Sequence, residues 1–173
     1  MKIGILGAGK VGTAIATLLD ISRFVDSVVL ADVQPIENLE ALRKVRFRKL
    51  DVLSEPELAK FVSDSDAVVS ATPYYLNKTI AQACADFGKS YFDLTEDIDT
   101  ANFVRNLAAE SRSTFMPQCG LAPGAINIIA SGLANSFKIV RSVEMRVGAL
   151  PLSASNQMKY YLSWSTAGSR LLR

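Results

Sequence analysis

The chain has 173 residues, 49% of them hydrophobic, which excludes a disordered polymer and suits one full core with part of a second. Nineteen basic against 17 acidic residues leave a formal charge of +2, so neither a nucleic acid nor a membrane surface is indicated as a partner. With no histidine, imidazole triads, histidine metal sites and imidazole acid–base chemistry are excluded. Proton transfer then falls to carboxylates, Lys, Tyr, Cys, water or the substrate.

In chain order, Lys2 to Leu6 reads as a short strand entering a glycine turn. Val11, Ile15, Leu18 and Leu19 follow at helical spacing. Val28 to Ala31 is a second strand ending at Asp32, and Val45 to Leu50 a third after a poorly patterned stretch. The basic run Arg43 to Lys49 reads as a solvated face. Ser54 and Glu57 have the spacing of a capping box opening a helix that carries Leu58, Phe61 and Val62. Ala67 to Ser70 is the fourth strand, stopped by Pro73. A helical stripe of Leu76, Ile80, Ala83, Cys84 and Phe87 comes next, then a fifth strand, Tyr91 to Leu94. A helix from about Ile98 to Glu110 leads to a sixth strand, Thr114 to Met116, and Pro123-Gly124 opens an apolar helix running to Phe137. Short strands alternating with helices predict a Rossmann-type α/β fold with a doubly wound parallel sheet.

After Phe137 the period changes. Val143, Met145 and Val147 alternate with polar residues, and so do Met158, Tyr160, Leu162 and Trp164, as in half-buried antiparallel strands. The expected organisation is therefore a nucleotide-binding domain over residues 1–122. Residues 123–173 would begin an α+β substrate and dimerisation domain, with a homodimer through its sheet. The glycine-broken N-terminus lacks the apolar stretch of a signal peptide, and no run approaches a membrane span. Cys84 and Cys119 do not make a disulfide framework, which points to a reducing cytoplasm.

The turn Gly7-x-Gly9-x-x-Gly12 follows a strand and opens a helix, and Asp32 lies 20 residues beyond Gly12. That is the dinucleotide-binding arrangement. Gly7 permits the turn, Gly9 lets the backbone approach a pyrophosphate, and Gly12 lets helix and strand pack closely. Ala8, Lys10 and Val11 complete the loop, whose helix N-terminus favours phosphate charge. Asp32 would accept from the ribose hydroxyls and repel a 2′-phosphate. NAD is thus expected over NADP, unless Arg43 or Lys49 reaches the site. The other readings are a sugar-phosphate or S-adenosylmethionine domain of the same fold, or a turn without ligand. Ligands in such sheets bind beyond the carboxyl ends of the strands. That rule nominates Asp51 and Val52, Thr72 and Pro73, Asp93 to Asp97, and Gln118 to Gly120. For Asp51, capping of the local turn is the competing reading.

The stretches "GILGAGKVG", "YFDLTED", "MPQCGLAPG" and "VGALPLSASNQMKYYLSWSTAG" together resemble the saccharopine dehydrogenase family, nearest its lysine-dehydrogenase-like members, over Met1 to about Gly168. The resemblance implies an NAD(P)-dependent oxidoreductase acting at a C–N bond of an amino acid or polyamine through an imine, without a metal. Glu96 and Asp97 are then the candidates for proton transfer, with helix capping as the alternative. Tyr74, Cys119, Gly120 and Lys159 are candidates for the substrate side, and Cys84 reads as core. Saccharopine reductases of the family carry Tyr at the position of Glu96 and an acidic residue at Ala122, which favours the lysine-dehydrogenase-like branch. In the family, Trp164-Ser165-x-x-Gly168 is followed by further sequence. A C-terminally truncated enzyme is therefore expected here, with a catalytically silent NAD-binding fragment as the alternative.

Overall fold

A computed structural model describes residues 1–36, 39 and 41–146. The chain divides into two compact units, Met1–Cys119 and Gly120–Arg173.

The first unit is a six-stranded parallel sheet in the order β3-β2-β1-β4-β5-β6. Its strands are β1 (Lys2–Leu6), β2 (Ser27–Asp32), β3 (Val45–Lys49), β4 (Ala67–Ser70), β5 (Ser90–Asp93) and β6 (Phe115–Met116). The helices are α1 (Lys10–Asp20), α2 (Glu55–Ser63), α3 (Asn77–Asp86) and α4 (Ile98–Glu110). Alternate strand residues feed two cores, as the two-residue period demands. Leu6, Ala31, Val68 and Tyr91 pack against Leu58, Phe61, Ile80 and Val104 of α2, α3 and α4. Ile3, Ile5, Val28 and Leu30 pack against Ala16 of α1 on the other face. Near-continuous apolar strands are what a sheet covered on both sides requires. The sheet is thus a Rossmann-type α/β fold, and strand order reverses between β1 and β4, where such sheets bind ligands.

Two expectations need correction. Ser54 stands at the N-cap of α2, but its side chain makes no capping bond. Glu57 instead turns to the preceding loop and accepts the Asp51 N–H at 3.1 Å. The predicted strand at Val143, Met145 and Val147 is not seen over its described part, where residues 141–146 have no regular structure; Val147 lies outside the described residues. A half-apolar strand needs a hydrogen-bonded neighbour, and none pairs with it among the described residues. The second alternating run, Met158 to Trp164, and the expected role of Lys159 lie outside the described residues.

In the second unit, α5 (Ala125–Ala134) is shorter than its apolar pattern suggests. The loop before it closes on itself: Ala125 N–H donates to the Gly120 carbonyl at 2.9 Å, and the Gly124 N–H to Asn127 Oδ1 at 3.1 Å. Ile126, Ile129 and Leu133 of α5 line a cavity of about 620 Å³ with Phe137, Val143 and Met145. Among the described residues, no helix is long and apolar enough to cross a membrane.

Candidate nucleotide-binding site

The glycine loop joins β1 to α1 at the point where strand order reverses. Gly7 has φ +96°, a left-handed value that an L side chain resists. A Cβ there would meet the Ala71 carbonyl oxygen at 2.6 Å, so the turn also depends on close approach to the end of β4. At Gly12 a Cβ would fall on the Gly7 carbonyl oxygen, which keeps α1 tight against β1. Gly9 differs: a Cβ there would meet nothing within 4 Å. The loop is closed on its inner side and open at Gly9.

Gly9 is also the N-cap of α1, without a capping side chain. The first-turn N–H groups of Lys10, Val11 and Gly12 therefore lack intrahelical acceptors. No acidic residue occupies that turn and Lys10 adds a cation, so the charge there suits an anion. Asp32 closes the loop from the side. Its Oδ2 accepts the Ala8 N–H at 2.7 Å, and its Oδ1 the Gln34 N–H at 3.1 Å. The residues present thus fit a dinucleotide: an uncapped helix start for the pyrophosphate and a half-buried carboxylate at the end of β2 for ribose hydroxyls.

The other nominated residues separate by environment. Asp51 is exposed and its Oδ1 accepts the Leu53 N–H at 2.9 Å, which is turn chemistry, while Val52 beside it is buried in the core. Thr72 edges the switch point, with its hydroxyl 2.9 Å from that of Ser70. Pro73 then starts a 3-10 turn, Tyr74–Leu76, on which Tyr74 and Tyr75 are exposed and meet edge to face at 6.0 Å. Arg43 precedes β3 and so lies at the amino end of the sheet, away from the loop. Lys49 closes β3 in register with Asp32, at the same carboxyl edge.

Beyond β5 the two candidate carboxylates have different surroundings. Asp97 is the N-cap of α4: its Oδ2 accepts the Thr100 N–H at 2.8 Å and the Thr100 hydroxyl at 2.7 Å. Those two bonds hold its carboxyl below the ordinary range. Glu96, half-buried, has no hydrogen-bond or ion-pair partner among the described residues. Cys119 is exposed, with its thiol 3.2 Å from the Met116 carbonyl; desolvation first, then the Asp93 carboxylate, raise its pKa. Gly120 belongs to the second unit. Cys84 is fully buried, and burial pushes its thiol up to about 12, an inert core position.

A buried polar cluster was not anticipated as such. Ser70 donates to Asn77 Oδ1 at 2.6 Å, and the Tyr91 hydroxyl to Asp93 Oδ2 at 3.0 Å. Asp93 is fully enclosed, and desolvation raises its carboxyl above the ordinary value, against the pull of its hydrogen bonds. The signal in the sequence is a carboxylate inside the apolar run Tyr91-Phe92-Asp93-Leu94 with Thr95 two residues on, the spacing at which Asp binds local backbone.

The family model for the saccharopine dehydrogenase NADP-binding domain matches residues 3–116. The chain belongs to this family. Its match runs from β1 to β6 and includes the glycine loop and the loops after β2 to β5, so the unit is an NAD(P)-binding domain of the saccharopine dehydrogenase type. Among curated proteins, it is 28% identical over 156 residues to an alpha-aminoadipic semialdehyde synthase of Arabidopsis thaliana, covering 87% of this chain and 14% of that protein. Among solved structures, it resembles saccharopine dehydrogenase (L-Glu forming) of Saccharomyces cerevisiae with a TM-score of 0.67 and 21% identity, over 97% of this chain and 39% of that one. A scyllo-inositol dehydrogenase of Lactobacillus casei follows at a TM-score of 0.55 and 21% identity, over 68% of this chain and 35% of that one. The two structures share the fold; the domain match carries the family.

Proposed function

We propose that the chain is the cofactor-binding part of an NAD(P)-dependent oxidoreductase acting at a C–N bond of an amino acid or polyamine, of the lysine-dehydrogenase-like kind. The observation that carries this reading is the open, uncapped start of α1 at Gly9, flanked by an Asp32 carboxylate already turned to the loop. Bound nicotinamide supplies a hydride-accepting carbon. Asp32 and the α1 N–H groups orient the dinucleotide, and Thr72 and Pro73 border it at the switch point. In the oxidative direction, Glu96 would take the N–H proton of the substrate while the bound cofactor would accept the hydride from the adjacent carbon, leaving a C=N bond. Water then adds to that carbon and the amine departs. Asp97 is held by Thr100, so it anchors the helix beside Glu96. Tyr74 and Cys119 supply the substrate side, and a homodimer in a reducing cytoplasm is the expected setting. Because Asp32 disfavours a 2′-phosphate, NAD is the preferred cofactor, with NADP admitted through Lys49.

A second reading is a nucleotide-binding unit without turnover of its own; this chain spans 14% of the plant synthase and 39% of the yeast enzyme. Calorimetric titration with NAD and NADP, followed by nucleotide reduction assays with lysine, saccharopine and a series of diamines, separates the two. Binding with turnover supports the enzyme, binding without turnover the silent unit. Absence of binding to either nucleotide sinks both.

A further inference from the structure

The glycine loop accounts for one end of the carboxyl edge of the sheet; the buried cluster at the end of β5 has no task in it. A carboxylate enclosed as completely as Asp93 persists only with its lone pairs satisfied. Its two oxygens serve different neighbours. Oδ1 accepts the Thr95 N–H at 2.8 Å and the Gln118 N–H at 3.2 Å, and Oδ2 accepts the Tyr91 hydroxyl at 3.0 Å. Thr95 and Gln118 belong to loops that follow different strands, so one side-chain oxygen joins both. The Asp93 carbonyl takes a further bond from the Cys119 N–H at 2.7 Å.

Both joined segments are held in unusual or directed conformations. Gln118 has φ +65°, a left-handed value that a glutamine adopts only when its surroundings fix it. Thr95 passes the restraint on: its Oγ1 accepts the Asp97 N–H at 3.1 Å, and Asp97 caps α4. Glu96 therefore sits between two residues whose backbones are anchored through Asp93.

We propose that Asp93 is a positioning residue whose enclosed carboxylate ties the β5–α4 loop to the chain leaving β6, and so fixes where Glu96 and Cys119 stand. The inference rests on the reading that this end of the sheet meets the substrate. Its alternative is a purely structural group that satisfies its neighbours and stabilises the unit as a whole.

Site-resolved alkylation with iodoacetamide, followed by mass spectrometry over a range of pH, tests it. Buried Cys84 reports opening of the whole unit, Cys119 reports the exit from β6, and a thiol introduced by E96C reports the β5–α4 loop. In D93A the high-pH plateau rate at the E96C thiol, at a half-buried position, should rise about tenfold with Cys84 still protected, the mark of local rather than global release, while Cys119, already exposed, reports through its midpoint. D93N keeps an oxygen for both backbone donors and should return the plateau to its wild-type level. It should also move the Cys119 midpoint to lower pH, since the charge opposing the thiolate is gone. Should D93A fail to fold, D93S, too short to join both loops, is read the same way. An unchanged E96C plateau, Cys84 labelled together with the E96C thiol, or no recovery in D93N overturns the proposal. No nucleotide enters this assay, so a chain that binds neither NAD nor NADP refutes the cofactor reading and leaves this result standing.

Discussion

The glycines of the first loop make opposite predictions, because a methyl group meets different surroundings at each. At Gly12 the Cβ would fall on the Gly7 carbonyl oxygen, a backbone atom that cannot rotate aside as a side chain would. Overpacking of that kind costs up to about 3 kcal/mol, and the better helix propensity of alanine returns about 1 kcal/mol. G12A should therefore lose about 2 kcal/mol, or roughly 4–8 °C in Tm for a chain of this size. At Gly9 the Cβ meets nothing within 4 Å. Alanine is a poorer N-cap than glycine by about 0.5–1 kcal/mol, and the stiffer unfolded chain offsets a similar amount, so G9A should keep its stability to within about 0.5 kcal/mol. The same methyl would stand over the helix start where a pyrophosphate must approach, and nucleotide affinity should fall at least about tenfold, equivalent to about 1.4 kcal/mol. Thermal unfolding and calorimetric titration of both variants suffice. A G9A protein that binds NAD and NADP like the wild type refutes the pyrophosphate assignment. A G12A protein as stable as the wild type refutes the close helix–strand approach.

Three further outcomes follow from the same coordinates. Lys49 stands in register with Asp32, so K49E should weaken NADP about tenfold relative to NAD; an unchanged ratio of the two dissociation constants removes Lys49 from cofactor choice. Asp97 accepts two bonds from Thr100, so D97A should cost about 1 kcal/mol at neutral pH. Its carboxyl is lowered from 3.8, so that contribution is present above the ordinary value and disappears as pH falls through the lower folded value; a penalty that persists in acid refutes the assignment. Asp93 has the opposite sign. Its carboxyl is raised from 3.8 by burial, so its protonated form contributes fully below the ordinary value, and the contribution is lost as pH rises through the raised folded value. Against D93N, the wild type should lose stability over that window in denaturant titrations, and a relative gain there contradicts the burial argument.

What could be read from the sequence, and what could not, follows from how local each signal is. Strands β1 to β6 were legible because a parallel sheet covered on both faces needs short apolar runs, and the helices between them show a 3.6-residue period; both patterns are carried by neighbours in sequence. The glycine loop was legible for a related reason: Gly7, Gly9, Gly12 and Asp32 must meet a fixed geometry within one βαβ unit. Ser54 and Glu57 misled because the capping-box spacing fixes only that a bond can form, whereas Glu57 accepts the Asp51 N–H instead. The run at Val143 and Met145 has no regular structure where it is described, and its predicted partner, Met158 to Trp164, lies outside the described residues. Asp93 was the hardest to read. Its meaning lies in the Gln118 N–H, 25 residues away, and nothing in "YFDLTED" says that the chain returns there. Between Glu96 and Asp97, adjacent carboxylates identical in charge, the bonds from Thr100 show that Asp97 is committed to the helix. The local grammar of the chain therefore specifies where a dinucleotide is held. The end of β5 is held by a longer reach, since the Asp93 carboxylate accepts the Gln118 N–H from 25 residues away.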